Sequence, residues 1–277
     1  MGINEKLNRI LLQVKEKTPL VHHITNYVTV NDCANIVLAL GGSPVMADDE
    51  AEVEEMVSIA SALVINIGTL NSRTINSMIL AGKKANELNV PVILDPVGVG
   101  ATSLRTKTAK LLLENIQFDV IRGNLSEIKV LAGLSSKTRG VDVDVDVEEK
   151  DEIEGRKKLG EELSKKLNSV IAITGKVDSI SYNDKTYLIY NGHPMLSQVT
   201  GTGCMCSSLI GAFLGTGEDK HIATVLGVLT MGISGERAYK AVTDKDLGTG
   251  SFRTAIIDSV SNITPEIIYE YAKITEK

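Results

Sequence analysis

The sequence lacks tryptophan altogether and has few other aromatic residues, with three phenylalanines and seven tyrosines in 277 residues. Proteins that bind single-stranded nucleic acids stack the bases on aromatic side chains, so this composition disfavours that class. A basic surface is missing too, because 35 acidic and 29 basic residues give a net charge of −6. Nucleic-acid-binding domains usually carry a basic stripe. An anionic ligand would therefore have to be held by local groups.

Cysteines are few and odd in number: Cys33, Cys204 and Cys206. An odd count in a long chain favours free thiols in a reducing compartment. The N-terminal residues show no apolar signal core, and Lys6 stands where a myristoylation signal has serine or threonine. No apolar run approaches the roughly 20 residues of a membrane-spanning helix. We therefore expect a soluble, cytoplasmic protein.

Short runs of β-branched and aliphatic residues alternate with longer segments of helical periodicity. The runs at 63–65, 92–94, 120–121 and 170–173 predict buried strands, and helices are predicted near 50–60, 72–89, 104–115 and 151–168. This alternation is typical of a parallel sheet covered by helices on both faces. Residues 180–190 instead predict a hairpin at the sheet edge, turning at Asn183 and Asp184. Helices follow at 205–214, 221–239 and 254–261. The fold class is therefore α/β.

The chain shows no internal repeat and no linker rich in glycine, proline or serine, so we expect a single domain over residues 1–277. Residues 141–158 form the one biased stretch, in which valine and aspartate alternate. A calcium-binding loop would need a glycine turn and a distal glutamate at fixed offsets, and this stretch has no glycine at the required offset. We interpret it as an exposed insertion that runs into a solvated helix.

The strongest local signal is the turn Gly201-Thr202-Gly203-Cys204, which precedes a predicted helix. The first backbone N–H groups of a helix have no partner inside it, and the helix dipole is positive there. Glycine also lets the backbone approach a ligand closely. The turn could thus hold the charge that develops on a transferring phosphoryl group. The alternative is an ordinary glycine-rich helix start.

Cys204 stands at this helix start. The dipole and nearby N–H donors should lower the pKa of its thiol, so that it could act as a nucleophile or as a base toward a hydroxyl. The alternative is a buried, inert cysteine, which is the role expected of Cys33 and Cys206. A zinc site is not indicated, since no second cysteine or histidine pair has metal-ligand spacing.

Polar residues at the ends of the predicted strands form a second group of candidates: Asp95, Arg122, Asn124, Glu127 and Thr174. In an open α/β sheet the ligand lies outside the carboxyl ends of the strands, so these side chains could converge there. Two carboxylates could hold a hydrated Mg²⁺ together with phosphates. An arginine could bind phosphate oxygens through two parallel hydrogen bonds. Each residue taken alone could equally be a helix cap or a turn former.

The common catalytic motifs for nucleotide-binding loops, zinc proteases and serine hydrolases are absent. His22 and His23 could in principle pair with a nucleophile. The chain has four histidines in all, none of them near Cys204 in sequence. We therefore interpret both as hydrogen-bonded structural residues.

Several segments together resemble the hydroxyethylthiazole kinases, the thiamin-salvage branch of the ribokinase-like superfamily. They occur in the order found in that family and cover nearly the whole chain: ITNYVTVNDCAN within 22–56, LVINIGTLN at 63–71, VILDPVGVGATSLR at 92–105, VIRGNLSEI at 120–128, IAITGKVD at 171–178 and QVTGTGCMCSSLIGAF at 198–213. The superfamily usually has aspartate as catalytic base where this chain has Cys204. The resemblance implies a ribokinase-like three-layer sandwich with a mostly parallel central sheet.

The same resemblance implies ATP-dependent phosphorylation of the primary hydroxyl of 4-methyl-5-(2-hydroxyethyl)thiazole, in thiamin diphosphate biosynthesis or salvage. It places the thiazole at Asn26, Met46 and Gly201. Catalysis falls to the turn of Gly201, Thr202 and Gly203 and to Cys204 as proton acceptor.

The cofactors that the resemblance implies are ATP and Mg²⁺. It places ATP at Arg122 and Thr174, with Asn124 beside them, and Mg²⁺ at Asp95 and Glu127. It also implies a homotrimer with active sites between subunits. From the composition and the lack of a long apolar run, we expect no nucleic-acid or membrane partner.

Three other functions stay open at this point. A kinase for hydroxymethylpyrimidine or pyridoxal, or an ATP-dependent dehydratase of hydrated nicotinamide cofactors, would have a similar site but aspartate in place of Cys204. A thiazole- or nucleotide-binding protein without catalysis would bind ligands and release no ADP. A hydrolase with a cysteine nucleophile would cleave esters without ATP.

Overall fold

The computed structural model describes residues 2–133 and 149–277. In these residues nine strands form one sheet, in the spatial order β2-β1-β3-β4-β5-β6-β7-β8-β9. The strands are β1 (Leu20–Ile24), β2 (Ser43–Met46), β3 (Ala62–Asn66), β4 (Val92–Asp95), β5 (Val120–Asn124), β6 (Val170–Thr174), β7 (Asp178–Tyr182), β8 (Lys185–Ile189) and β9 (Ile274–Glu276).

The six strands β1 to β6 are parallel, and β7 to β9 continue the sheet in antiparallel pairing. The register places the last residues of neighbouring strands side by side. Asn66 of β3 pairs with Asp95 of β4, and Asn124 of β5 pairs with Thr174 of β6. The carboxyl ends of the parallel strands thus bring polar side chains to one edge of the sheet.

Helices cover both faces of the sheet. Those of the described residues are α1 (Ile3–Lys17), α2 (Val30–Leu40), α3 (Val53–Ile59), α4 (Ser72–Leu88), α5 (Ser103–Asn115), α6 (Leu125–Leu131), α7 (Glu149–Leu167), α8 (Thr202–Leu214), α9 (Lys220–Thr243), α10 (Thr249–Ser261) and α11 (Pro265–Tyr271), with a 3₁₀ turn at Pro194–Gln198. One core lies between the sheet and α1, α2 and α8 to α11, and the other lies between the sheet and α3 to α7. Strands β3 and β4 are buried throughout, because helices cover both of their faces.

The predicted architecture is confirmed: a mostly parallel sheet lies between two layers of helices. The hairpin is present too, and Asn183 takes the left-handed conformation that its turn requires (φ 53°). Its predicted place at the sheet edge is wrong, because the three-residue strand β9 pairs with β8 and forms the edge instead. Such a short strand has too few residues to show an alternating pattern in sequence.

Part of the biased stretch, residues 141–148, lies outside the described residues. Residues 149–158 belong to α7, in line with the predicted solvated helix. Across the described ranges, no helix is both long enough and apolar enough to span a lipid bilayer.

Candidate active site

Asp95 occupies the centre of the polar edge, at the end of β4, with no solvent exposure (0%). Its Oδ2 accepts hydrogen bonds from Asn66 Nδ2 (2.9 Å) and Ser207 Oγ (2.8 Å). Its Oδ1 is buried, has no hydrogen-bond partner in residues 2–133 and 149–277, and lies 3.7 Å from Arg122 Nη1. Burial raises the pKa of this carboxyl to about 6, and the Arg122 charge opposes that rise. Asp95 therefore has one satisfied and one spare oxygen.

Arg122 connects Asp95 to two other parts of the site. Its Nη2 donates to Thr174 Oγ1 at 2.7 Å, at the end of the neighbouring strand β6. Its guanidinium also lies against the backbone of Gly203, since a Cβ atom there would be 2.5 Å from Nη1. A cation thus lies directly beside the first turn of α8.

The start of α8 has a row of free backbone donors. Gly201 is the N-cap, and its carbonyl accepts the first helical bond from Met205 N (2.8 Å). The N–H groups of Thr202, Gly203 and Cys204 make no hydrogen bond with any part of the chain that the structure describes. Gly201 has φ of +89°, and a Cβ atom there would be 2.5 Å from Thr29 Cγ2. The turn is thus open to an anion, and its shape requires glycine at 201.

Thr202 contributes to this turn through its backbone. Its hydroxyl donates to the carbonyl of Leu196 in the 3₁₀ turn, at 3.0 Å. That bond ties the segment before α8 to the helix start, and it leaves the Thr202 N–H for a ligand.

Cys204 is almost fully buried, with 7% exposure. Its sulfur accepts hydrogen bonds from Asn26 Nδ2 and Asn66 Nδ2, both at 3.3 Å. The sequence-based expectation of a lowered pKa is wrong: burial raises the pKa of this thiol, and the negative charge of Asp95 adds to the rise. Side-chain hydrogen bonds and the positive charge of Arg122 oppose the shift without overcoming the loss of solvation. The thiol form therefore predominates at neutral pH.

Hydrogen bonds fix the orientation of both asparagines. Asn26 Oδ1 accepts from the N–H and the hydroxyl of Thr29, and Asn66 Oδ1 accepts from the N–H of Gly68. Because each oxygen faces a donor, each amide nitrogen must face Cys204. Asn66 thereby bridges Asp95 and Cys204.

Glu127 and Asn124 are held by the backbone at the start of α6. Glu127 Oε1 accepts from Gly98 N and its Oε2 from Asn124 N, both at 2.8 Å, while Asn124 Oδ1 accepts from Glu127 N at 2.9 Å. This is a capping box. Glu127 keeps further lone pairs, whereas the side-chain oxygen of Asn124 serves the helix. In the described ranges no group of three or more histidine, cysteine, aspartate or glutamate side chains could hold a metal ion by itself.

The remaining candidates lie at or near the same edge. Met46 is the last residue of β2, is half-buried, and pairs in register with His23. His22 and His23 are buried and hydrogen-bonded to Ala47 O and to Ser208 Oγ respectively, as structural residues. Burial raises the pKa of Cys33 and of Cys206 to about 12, which agrees with the prediction that both thiols are inert.

The sequence analysis missed Asn66 and Ser207, which both hydrogen-bond to Asp95 Oδ2. The strand-end rule that selected Asp95 would also have found Asn66, the last residue of β3. Ser207 follows Cys204 by three residues and so lies on the same face of α8.

Comparisons with known proteins identify one family model and several related chains. The family model described as the hydroxyethylthiazole kinase family matches residues 11–266. A hydroxyethylthiazole kinase of Clostridium tetani is 57% identical over 99% of both chains. The structure of a hydroxyethylthiazole kinase protein from Pyrococcus horikoshii OT3 is 41% identical, covers 99% of both chains and has a TM-score of 0.87. A ribokinase-like superfamily protein from Enterococcus faecalis shares the fold, with 14% identity, a TM-score of 0.61, and coverage of 91% of this chain and 89% of that one.

Proposed function

The chain belongs to the hydroxyethylthiazole kinase family, and from this membership we infer that it catalyses ATP-dependent phosphorylation of the primary hydroxyl of 4-methyl-5-(2-hydroxyethyl)thiazole in thiamin biosynthesis. Its fold is ribokinase-like. The observation that carries the proposal is the row of free N–H groups at Thr202, Gly203 and Cys204, which lies beside Arg122 and above Asp95.

These donors suit the charge that phosphoryl transfer develops. The transferring group passes through a loose transition state with charge on its three equatorial oxygens, so positioning and electrostatic stabilisation do most of the work. The amides of the turn would bind those oxygens together with the Arg122 guanidinium. Thr174 holds the guanidinium at the end of β6. Arg122 and Thr174 would therefore contact the phosphates of ATP. Asn124, which caps α6, lies beside Thr174 at the same edge of the sheet.

The carboxylates fit a hydrated Mg²⁺ that is shared with the phosphates of ATP. Asp95 Oδ1 is a buried acceptor without a hydrogen-bond partner among the described residues, and Glu127 retains unused lone pairs. Mg²⁺ typically keeps several waters and takes one or two carboxylates plus phosphate oxygens. Asp95 and Glu127 would hold the ion through such waters, and the bound ion would neutralise phosphate charge.

Asn26, Met46 and Gly201 would line the thiazole site, so that the substrate hydroxyl faces Cys204. Asn26 already donates to the sulfur of Cys204. The hydroxyl loses its proton late, as its oxygen bonds to phosphorus, and the thiolate form of Cys204 would then accept that proton and become the thiol. Because the proton leaves late, Cys204 contributes less than a base that must act first.

A coupled ADP-release assay tests the proposed reaction. We expect ADP release that depends on hydroxyethylthiazole and on Mg²⁺, and little release with hydroxymethylpyrimidine or pyridoxal as the alcohol. Thermal shifts on ligand binding without ADP release would favour a binding protein instead. Ester hydrolysis without ATP that iodoacetamide blocks would favour a cysteine hydrolase.

The raised pKa of Cys204 predicts a specific pH profile. A thiol whose pKa lies above its ordinary value becomes thiolate only in alkaline solution. Because the thiolate is the form that accepts the proton, kcat of the native enzyme should increase as the pH rises toward and beyond 9. In Cys204→Asp the carboxylate ionises several pH units lower. This variant should keep or raise the activity at neutral pH, and its kcat should no longer increase in alkaline solution.

Cys204→Ala should lower kcat by about tenfold, which is less than the roughly 10²–10⁴ that a general base often contributes. Both variants are to be compared by kcat from pH 6 to 10, with Cys33→Ala as the matched cysteine control. A folded but inactive Cys204→Asp variant would contradict the role given to Cys204.

We further propose that the chain acts as a homotrimer with its sites between subunits. Tyr27 and Val28 directly follow Asn26 and expose 62% and 64% of their surface. Large apolar side chains exposed beside a functional residue indicate a contact surface. Sedimentation should give three times the mass of the chain, and Val28→Glu should give a smaller species. Leu12→Glu, an equally apolar exposed position on α1, should leave the mass unchanged. A native monomer that is fully active would contradict this proposal.

A further inference from the structure

Arg105, in the first turns of α5, lies outside the groups assigned to substrates above. Its guanidinium donates from Nη1 to Val97 O at 2.7 Å and from Nη2 to Gly68 O at 2.6 Å. Val97 belongs to the loop after β4, and Gly68 belongs to the loop after β3. One half-buried side chain thus connects the two loops that follow the central strands of the site.

On one side, the connection leads to Glu127. Gly98 has φ of +71°, and a Cβ atom there would lie 2.4 Å from Arg105 Nη1, so the guanidinium packs directly on the glycine backbone. The N–H of Gly98 donates to Glu127 Oε1 at 2.8 Å. The position of this carboxylate therefore depends on a loop that Arg105 holds.

On the other side, the connection leads to Asp95 and Cys204. The N–H of Gly68 donates to Asn66 Oδ1 at 2.9 Å, and this bond fixes the direction of the Asn66 amide. Asn66 in turn donates to Asp95 and to Cys204. Arg105 thus binds the loop that orients Asn66, and Asn66 contacts both Asp95 and Cys204.

Arg105 has no carboxylate within ion-pair distance in the ranges that the structure describes. Its guanidinium instead donates to two backbone carbonyls, in a two-pronged arrangement that a planar guanidinium makes and an ammonium does not. A cation that binds two carbonyls in neighbouring loops serves to fix the backbone there.

We propose that Arg105 is a positioning residue for phosphoryl transfer, which holds the loops after β3 and β4 together so that Asn66 and Glu127 keep their orientation. The inference rests on the proposed kinase function for its effect on rate. Its effect on the backbone does not depend on that function.

The first test is kinetic and compares Arg105→Gln and Arg105→Lys with Arg73→Gln. Arg73, on α4, forms exposed ion pairs with Asp48 and Asp49 and serves as the matched control. Arg105→Gln should lower kcat by about 10–100-fold, in the range found when groups that orient metal ligands are removed. It should also raise the Mg²⁺ concentration for half-maximal rate. Arg105→Lys should recover part of both, and Arg73→Gln should change neither. Equal kcat and Mg²⁺ dependence in Arg105→Gln and the native enzyme would overturn the proposal.

The second test is hydrogen exchange, which reads the backbone whether or not the enzyme turns over. In Arg105→Gln the amides in 66–68 and 97–100 should exchange faster, while peptides from α1 and α9 keep their native rates. Unchanged exchange in those two segments would overturn the proposal even if the proposed function holds. Absence of thiazole-dependent ADP release in the native protein, with the exchange difference present, would refute only the proposed function.

A double-mutant cycle with Gly98→Ala separates a shared role from two independent ones. The added methyl group would displace the guanidinium and would also strain the backbone at its φ of +71°, so the defect of Gly98→Ala should include that of Arg105→Gln. The double variant should then be no worse than about twofold below the poorer single variant, because residues that act through one contact are not additive. Effects that multiply would contradict a shared role.

Discussion

Replacing Arg122 by glutamine should lower kcat/KM by about 10³-fold, the lower end of what an arginine that stabilises transferring phosphate contributes. The guanidinium lies between Asp95 and Thr174 and against the backbone of Gly203, so it would face the phosphate from beneath the turn. Its loss also leaves Asp95 buried without its cation. The charge of Arg122 lowers the pKa of Asp95, so removing that charge should raise this pKa. The fall of kcat in acid solution should therefore begin at a higher pH in the variant than in the native enzyme.

Steady-state kinetics with ATP and hydroxyethylthiazole from pH 5 to 9 measure both effects. Arg122→Lys keeps the charge but not the two parallel donors, so it should recover only part of the activity. Thermal unfolding checks that each variant is folded. A folded Arg122→Gln enzyme within tenfold of native kcat/KM would contradict the place given to Arg122.

Replacing Gly203 by alanine should lower kcat by about 10²–10³-fold, as loss of a single oxyanion donor does in other enzymes. The methyl group would lie 2.5 Å from Arg122 Nη1, and would push the guanidinium and the turn apart. Alanine is otherwise favoured over glycine inside a helix by about 1 kcal/mol. The loss of activity should therefore occur without loss of helix α8.

Gly155→Ala is the matched control for this prediction. Gly155 lies on an exposed face of α7, and a Cβ atom there would meet no atom within 4 Å. This variant should keep native kcat, and the helix should gain about 1 kcal/mol of stability. A Gly203→Ala enzyme with native kcat would show that the phosphate does not bind at this turn.

Strands β3 to β6 were predictable because each contains a run of β-branched and aliphatic residues. Asp95 and Arg122 end such runs, so the sequence already indicated that they meet at one edge. Strands β1 and β2 were missed, because two histidines interrupt the first and the second begins with serine and proline. The pairing of Asn66 with Asp95 depends on strand order, which a local pattern does not contain. Strand β9 was missed for a related reason: its partner β8 lies more than eighty residues earlier in the chain.

The chemistry of Cys204 shows the limit of local reasoning most clearly. From sequence, a thiol at a helix start should have a lowered pKa. The folded chain instead removes the sulfur from solvent and brings Asp95 near it, and both raise the pKa. Burial by distant residues decides this balance. The hydrogen bonds of Glu127 show the same limit, because one of its oxygens is bound by the N–H of Gly98, which lies 29 residues earlier in the chain.

The most direct measurement is a crystal structure of the enzyme with ADP, Mg²⁺, fluoroaluminate and hydroxyethylthiazole. We predict a planar fluoride group about 2.7–3.1 Å from the amide nitrogens of Gly203 and Cys204, with the thiazole hydroxyl facing the sulfur of Cys204. A fluoride group bound away from α8, with those amides bonded to protein or water, would contradict the account.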